Sequence, residues 1–241
     1  MKKLILTAVL SVASVAAFGQ GTIDLLNIAK TSGFVSPIFQ PNPGSPANQQ
    51  VGQPSTAVYT GALPTGTTVY GGLPVTTAYD MVLLYSLNNT VTSYSQMSVA
   101  TIVPFRSATT ASSSPSGGIL APGAIPIPGT TGGTPIAFCI GAFFVDPTVA
   151  AAVAAGGSTP ASIYAAAYGD FTGGDGVAQM GWGSIVPNIQ LGGSDTAGGP
   201  HVEPSTIQGW TSFSLTVTPE PSTFVLAGLG AAGLLLFRRR K

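Results

Sequence analysis

The chain has 241 residues, of which only 7% are charged, with 32 glycines, 20 prolines and a mean hydropathy of +0.41. Its eight basic and eight acidic residues cancel, yet between positions 21 and 218 the cations are Lys30 and Arg106 alone, against Asp24, Asp80, Asp146, Asp170, Asp175, Asp195 and Glu203, a net −5. Such a body offers no basic patch to nucleic acid or to an anionic bilayer surface, and its scarcity of Lys and Glu argues against long solvated helices.

The N-terminus predicts a secretory signal peptide over 1–20. Met1-Lys2-Lys3 is a positive n-region, Leu4 to Ala17 an apolar h-region, and Ala16 to Gln20 supplies small residues for a cut. The cut is expected after Gly19 or Gln20, with Ala17 as the alternative site. A retained N-terminal anchor is the competing reading. The body that follows, 21–218, has about 200 residues, enough for one domain with a real core. Ser and Thr fill positions where cytoplasmic proteins use charge. The lone Cys139, set in an apolar run, rules out an internal disulfide framework and reads as a buried thiol rather than a nucleophile.

Along the body, 22–28 predicts a first strand and 32–56, rich in Pro, Gly, Ser, Asn and Gln, a long surface loop. Short strands broken at Pro64 are expected over 56–70. The clearest strand is 77–87, with Tyr79, Met81, Leu83, Tyr85 and Leu87 on one face by period two. Asn88-Asn89 turns the chain into 96–105, placing Met97, Val99, Val103 and Phe105 on one side. Residues 107–135 read as loop or edge, because the prolines of Ile125-Pro-Ile-Pro128 cannot sustain a central ladder. Residues 135–145 are apolar on both faces and predict a central strand.

Two short helices come next. Asp146 caps the first, Pro147 opens it and Gly156 closes it; Thr159, Pro160 and Gly169 do the same for the second. Their faces of alanine with Ile163, Tyr164 and Tyr168 suit lying flat on a sheet. A strand over 177–189 with Gly181 and Gly183 flanking Trp182, a loop over 192–203, and a last strand with Phe213, Leu215 and Val217 alternating with Ser212, Ser214 and Thr216 complete the body. The fold class expected is mainly β: an antiparallel, jelly-roll-like β-sandwich with two short helices, plus an N-terminal signal helix and a C-terminal transmembrane helix.

No nucleophile elbow, phosphate loop, zinc-protease motif or paired cysteine is present. His201 lies between Pro200 and Pro204 and reads as a solvated loop residue. Asp170 and Asp175 form a weak Ca²⁺ candidate, since hard cations favour oxygen ligands on flexible loops, but the spacing is not an EF-hand and a glycine-rich turn is the plainer reading. Asp195 and Glu203 would suit a glycosidase pair only if the fold set their separation. Trp182 and Trp210 are expected in the core. No metal or cofactor is expected.

The C-terminus is an address. Pro219-Glu220-Pro221 is followed by an apolar run from Phe224 to Phe237 and then by Arg238, Arg239, Arg240 and Lys241, a basic stop cluster that stays cytoplasmic. The order of tripeptide, helix and basic cluster resembles the PEP-CTERM sorting signal, over about a tenth of the chain. The resemblance implies an exosortase-type membrane enzyme as partner, acting near the tripeptide, and a cell-surface or exopolysaccharide-associated destination. An ordinary C-terminal anchor is the alternative. The run spans roughly 21 Å as a helix, short of the ~20 residues of a full crossing, which suits transient docking. The Gly19-Gln20-Gly21-Thr22 start also resembles that of uncharacterised exported PEP-CTERM proteins. The expected protein is therefore a non-catalytic surface or matrix protein. A secreted carbohydrate-binding module, marked by exposed aromatic residues, is the second reading, and a secreted hydrolase the third.

Overall fold

The computed structural model describes residues 20–25, 28–29, 34–41, 50–52, 68–70, 72–105, 124–156, 158–173, 178–194, 201–202, 205–206 and 211–217. In chain order these form β1 (Thr22–Asp24), β2 (Ile28–Ala29), β3 (Phe34–Val35), β4 (Gln50–Gly52), β5 (Thr68–Tyr70), β6 (Tyr79–Ser86), β7 (Ser98–Pro104), β8 (Ile125–Pro126) and β9 (Pro135–Phe144). Helices α1 (Pro147–Ala154) and α2 (Pro160–Gly173) follow, then β10 (Gln179–Trp182), β11 (Val186–Gln190), β12 (Gly193–Ser194), β13 (His201–Val202), β14 (Ser205–Thr206) and β15 (Thr216–Val217). The signal segment and the apolar run 224–237 lie outside the described residues. Among the described helices none is long and apolar enough to cross a membrane.

The main sheet has the order β15-β10-β9-β6-β7, with β11 also paired to β9, and all its pairings are antiparallel. Strand β9 is its centre, buried from Ile136 through Phe143. Its residues are apolar at every step, as a strand covered on both faces requires. Phe138, Ile140 and Ala142 join Met81 and Leu83 on one face, which is packed by Ile23, Leu25, Ile38, Ile127, Leu191, Phe213 and Leu215. Cys139 and Phe143 join Val82, Leu84 and Met180 on the other, which is covered by Val149 of α1 and by Ile163, Tyr164 and Ala167 of α2. Each fully buried Leu, Ile or Phe contributes about 1.5–3 kcal/mol, so these two layers dominate the stability. A three-stranded sheet, β14-β1-β8, lies apart from the main one, with β1 parallel to β14 and antiparallel to β8.

The strand over 79–86, its hairpin partner, the central strand, the Pro-rich edge at β8 and both helix caps are found where the sequence puts them. Asp146 Oδ1 accepts from the amides of Thr148 (2.8 Å) and Val149 (2.9 Å), and Thr159 Oγ1 accepts from Ser162 (3.2 Å).

Several expectations are corrected. The long loop over 32–56 holds β3, β4 and a buried stretch, with Ile38 and Phe39 in the core. Its turn-forming composition masks two apolar residues, Ile38 and Phe39, that the core needs. Met97, Val99, Val103 and Phe105 do not share a side. A bulge between Leu83 and Leu84 leaves Ala100 without a register partner, and one extra residue reverses the alternation. Met97 and Val99 therefore face the helices, while Val103 and Phe105 face the opposite layer. Helix α2 does not stop at Gly169 but runs to Gly173. A helical glycine costs about 1 kcal/mol against alanine without ending the helix, and the extra turn brings Phe171 onto the sheet. The strand over 177–189 divides into β10 and β11, both on β9, and residues 193–194 pair with 201–202 inside the expected loop. In the last strand Val217 is exposed and Ser212 buried, so the alternation holds from Phe213 to Thr216 and fails at both ends.

Candidate functional site

Two places on this fold face outward with defined geometry. The first is the exit of the chain. Residues 212–217 are held on both sides. Tyr70 donates its hydroxyl to the Ser212 carbonyl at 2.5 Å, and the Tyr70 ring stacks on Phe39 at 4.5 Å. The Phe39 amide donates to Phe213 (3.0 Å) and its carbonyl accepts from Leu215 (2.9 Å). Beyond that point Thr216 and Val217 pair with Met180 and Gln179 of β10, and Thr216 Oγ1 donates to the Met180 carbonyl at 3.2 Å. Only Thr218 separates this ladder from Pro219. Covalent geometry therefore keeps the tripeptide's first residue within about 7 Å of β15.

The second place lies where the turn after β6 meets β11. A cleft of about 440 Å³ is lined by residues 89–92, Tyr94, Ile185 and Pro187. Its walls are braced to one another. The Asn88 side chain accepts from the amide and hydroxyl of Thr90 (3.0 and 2.7 Å), which sets the turn. Asn89 Oδ1 accepts from the Asn188 amide at 3.3 Å across 99 residues of sequence. Asn188 has φ 59°, the one positive φ outside glycine among the described residues, a conformation Asn tolerates better than most. Tyr94 donates to the Gly183 carbonyl at 3.3 Å. Its ring stacks on Trp182 at 5.0 Å, and Trp182 meets Tyr164 edge-on at 5.7 Å. Burial pushes the Tyr94 hydroxyl up, with Cys139 adding to it, and the Tyr164 hydroxyl up to about 12. Both phenols stay protonated at neutral pH. Tyr168, at the end of this aromatic row, is exposed.

Cys139 sits beneath the row and is fully buried, its thiol donating to the Gly183 carbonyl at 3.3 Å. Burial raises its pKa to about 12, which the bond to Gly183 offsets only in part. It is a buried thiol and not a nucleophile. Trp182 is half-buried and packed against the helix-covered face, in keeping with the expected core role; Trp210 lies outside the described residues.

Of the other candidates, Asp170 lies in α2, whereas Asp175, Asp195 and Glu203 lie outside the described residues. No group of three or more His, Cys, Asp or Glu able to hold a metal is found among the described residues. His201 is in β13, opposite Ser194. The sorting residues Pro219, Glu220 and Pro221 and the cluster Arg238, Arg239, Arg240 and Lys241 also lie outside the described residues. The cleft was not foreseen. The Asn88-Asn89 turn was legible, but the brace to Asn188 joins segments that no local pattern connects.

Residues 217–241 match the family model of the PEP-CTERM protein-sorting motif. No curated protein and no solved structure matches the chain. The matched segment begins at Val217, on the edge strand of the main sheet. The chain thus carries a PEP-CTERM sorting motif that starts on its last described strand, which implies an exported protein with an exosortase as its processing partner.

Proposed function

We propose that this is a non-catalytic, structural or interaction protein of the cell surface or extracellular matrix, associated with exopolysaccharide and delivered there by its C-terminal signal. In this reading residues 1–20 are a signal peptide that is removed. Residues 21–218 are the working body, a mainly antiparallel sandwich whose second layer is the β1 sheet, in which β1 and β14 run parallel. Residues 219–241 insert through 224–237, with Arg238 to Lys241 held on the cytoplasmic side, until the exosortase acts near Pro219-Glu220-Pro221. The observation that carries the reading is the position of the motif, which starts at Val217 on the sheet edge. A signal placed there presents the body to the membrane enzyme with almost no spacer. The sparse acids and the deeply buried, proton-retaining Cys139 favour the absence of catalysis.

Mass spectrometry of the two termini, on protein taken from the native cell surface and medium, tests the reading. The expected mature chain starts near Gly21 and ends between Pro219 and Ser222. Peptides reaching Phe237 in the surface protein would instead establish a retained single-pass anchor. A carbohydrate-binding module remains the second reading, favoured by the aromatic row that ends in exposed Tyr168.

A further inference from the structure

We propose that the cleft between the 89–92 turn and β11 is a binding site for a neutral oligosaccharide. The inference rests on the reading of the body as an extracellular interaction module, and it assigns that module its contact point.

The chemistry of the walls selects the ligand. Asn89, Thr90 and Thr92 bring amide and hydroxyl groups, while Tyr94, Ile185 and Pro187 bring apolar and aromatic surface. None of these residues is charged at neutral pH. An anionic ligand would lose hydration here without meeting a countercharge. A purely apolar ligand would leave the Asn and Thr groups unpaired. A neutral sugar matches both halves: its hydroxyls bond to the turn, and its C–H face lies on the ring, the proline and the isoleucine. The volume of about 440 Å³ falls within the roughly 300–1,000 Å³ of small-molecule sites. The site is also preformed. The Asn89–Asn188 bond, the Tyr94–Gly183 bond and the Tyr94–Trp182 stack fix three separate segments before a ligand arrives, which lowers the ordering cost of binding. The left-handed Asn188 beside Pro187 is kept by the same brace, and backbone strain of that kind gathers at ligand clamps.

The test is isothermal titration of the full chain, held in a sugar-free detergent. The probes are maltopentaose and cellopentaose as neutral α- and β-linked oligomers, and polygalacturonate as the anionic one. At least one neutral probe is expected to bind, and polygalacturonate is not. Asn89→Ala and Thr92→Val, both on the outer turn, should each weaken binding about tenfold, as the loss of one hydrogen bond to a ligand does. Tyr94→Ala should abolish it, and Thr92→Val keeps the test sound if removing the Tyr94 ring disturbs the fold. Failure of both neutral probes to bind at about 10 mM, preference for polygalacturonate, or binding unchanged in Asn89→Ala and Thr92→Val would each overturn the proposal. None of these outcomes bears on the sorting reading, which the terminal masses decide separately.

Discussion

Asp80 is a carboxylate set into an apolar sheet, with Phe143 and Pro104 as its register partners. Burial raises its pKa above the ordinary 3.8. The folded state therefore holds this proton more tightly than the unfolded chain does, and stability falls as pH rises from about 3.8 through the folded value. Asp80→Asn removes that dependence. Thermal melts from pH 4 to 7 should show the variant gaining on the parent as pH rises, with the two nearest at the acid end; parallel curves would place the cost of Asp80 elsewhere. Gly141 answers a different demand at this scale. A Cβ there would clash with the Trp182 ring carbons Cζ3 and Cε3 and lie 3.0 Å from Val82 Cγ1, so the indole that supports Tyr94 can lie on β9 only because position 141 has no side chain.

At the scale of elements, the bulge in the β6–β7 hairpin decides which side chains reach which layer. Deleting Ala100 would join Val99 to Thr101 and restore strict alternation, with Met97 and Val99 still facing the helices and Val103 still facing the other layer. With Ala100 present, the bulge is what keeps each apolar set on its own face, since pairing without it would slip one set by a residue and misplace it whole. The deletion variant is expected to keep a cooperative thermal transition, and loss of that transition would show that the bulge itself holds the hairpin. The helices illustrate the opposite case. Cap residues Asp146 and Thr159 mark their starts from sequence because capping is a contact of two or three residues' reach. The end of α2 was not legible, since Phe171 packs on a sheet that lies far away in sequence.

For the whole molecule, the chain's exit also serves its core. Phe213 and Leu215 are buried against the main sheet and laddered to Phe39, whereas Thr216 and Val217 are exposed. Truncation after Thr218 should leave the melting temperature of the body nearly unchanged. Truncation after Thr211 removes two buried apolar side chains at about 1.5–3 kcal/mol each and should unfold a body of ordinary marginal stability. Circular dichroism melts of the two truncations decide this; equal stability would mean that the closing segment is an appendage. If it is integral, the sorting signal is presented correctly only by a chain that has already folded.

Legible from the chain alone were the C-terminal sorting address, the strands of the main hairpin, the central strand, the helix starts and the buried thiol. Each of these is written in local order: a tripeptide with its basic cluster, a period of two, a run apolar on both faces, a cap before a proline. Tertiary structure alone decided that Ile38 and Phe39 leave a turn-rich stretch for the core and that Ala100 reverses a strand's faces. It also decided that Asn89 and Asn188 meet across 99 residues to brace a cleft. Those outcomes depend on contacts between segments remote in the chain, and their energy comes from shared burial and long-range hydrogen bonds that no short window of residues contains.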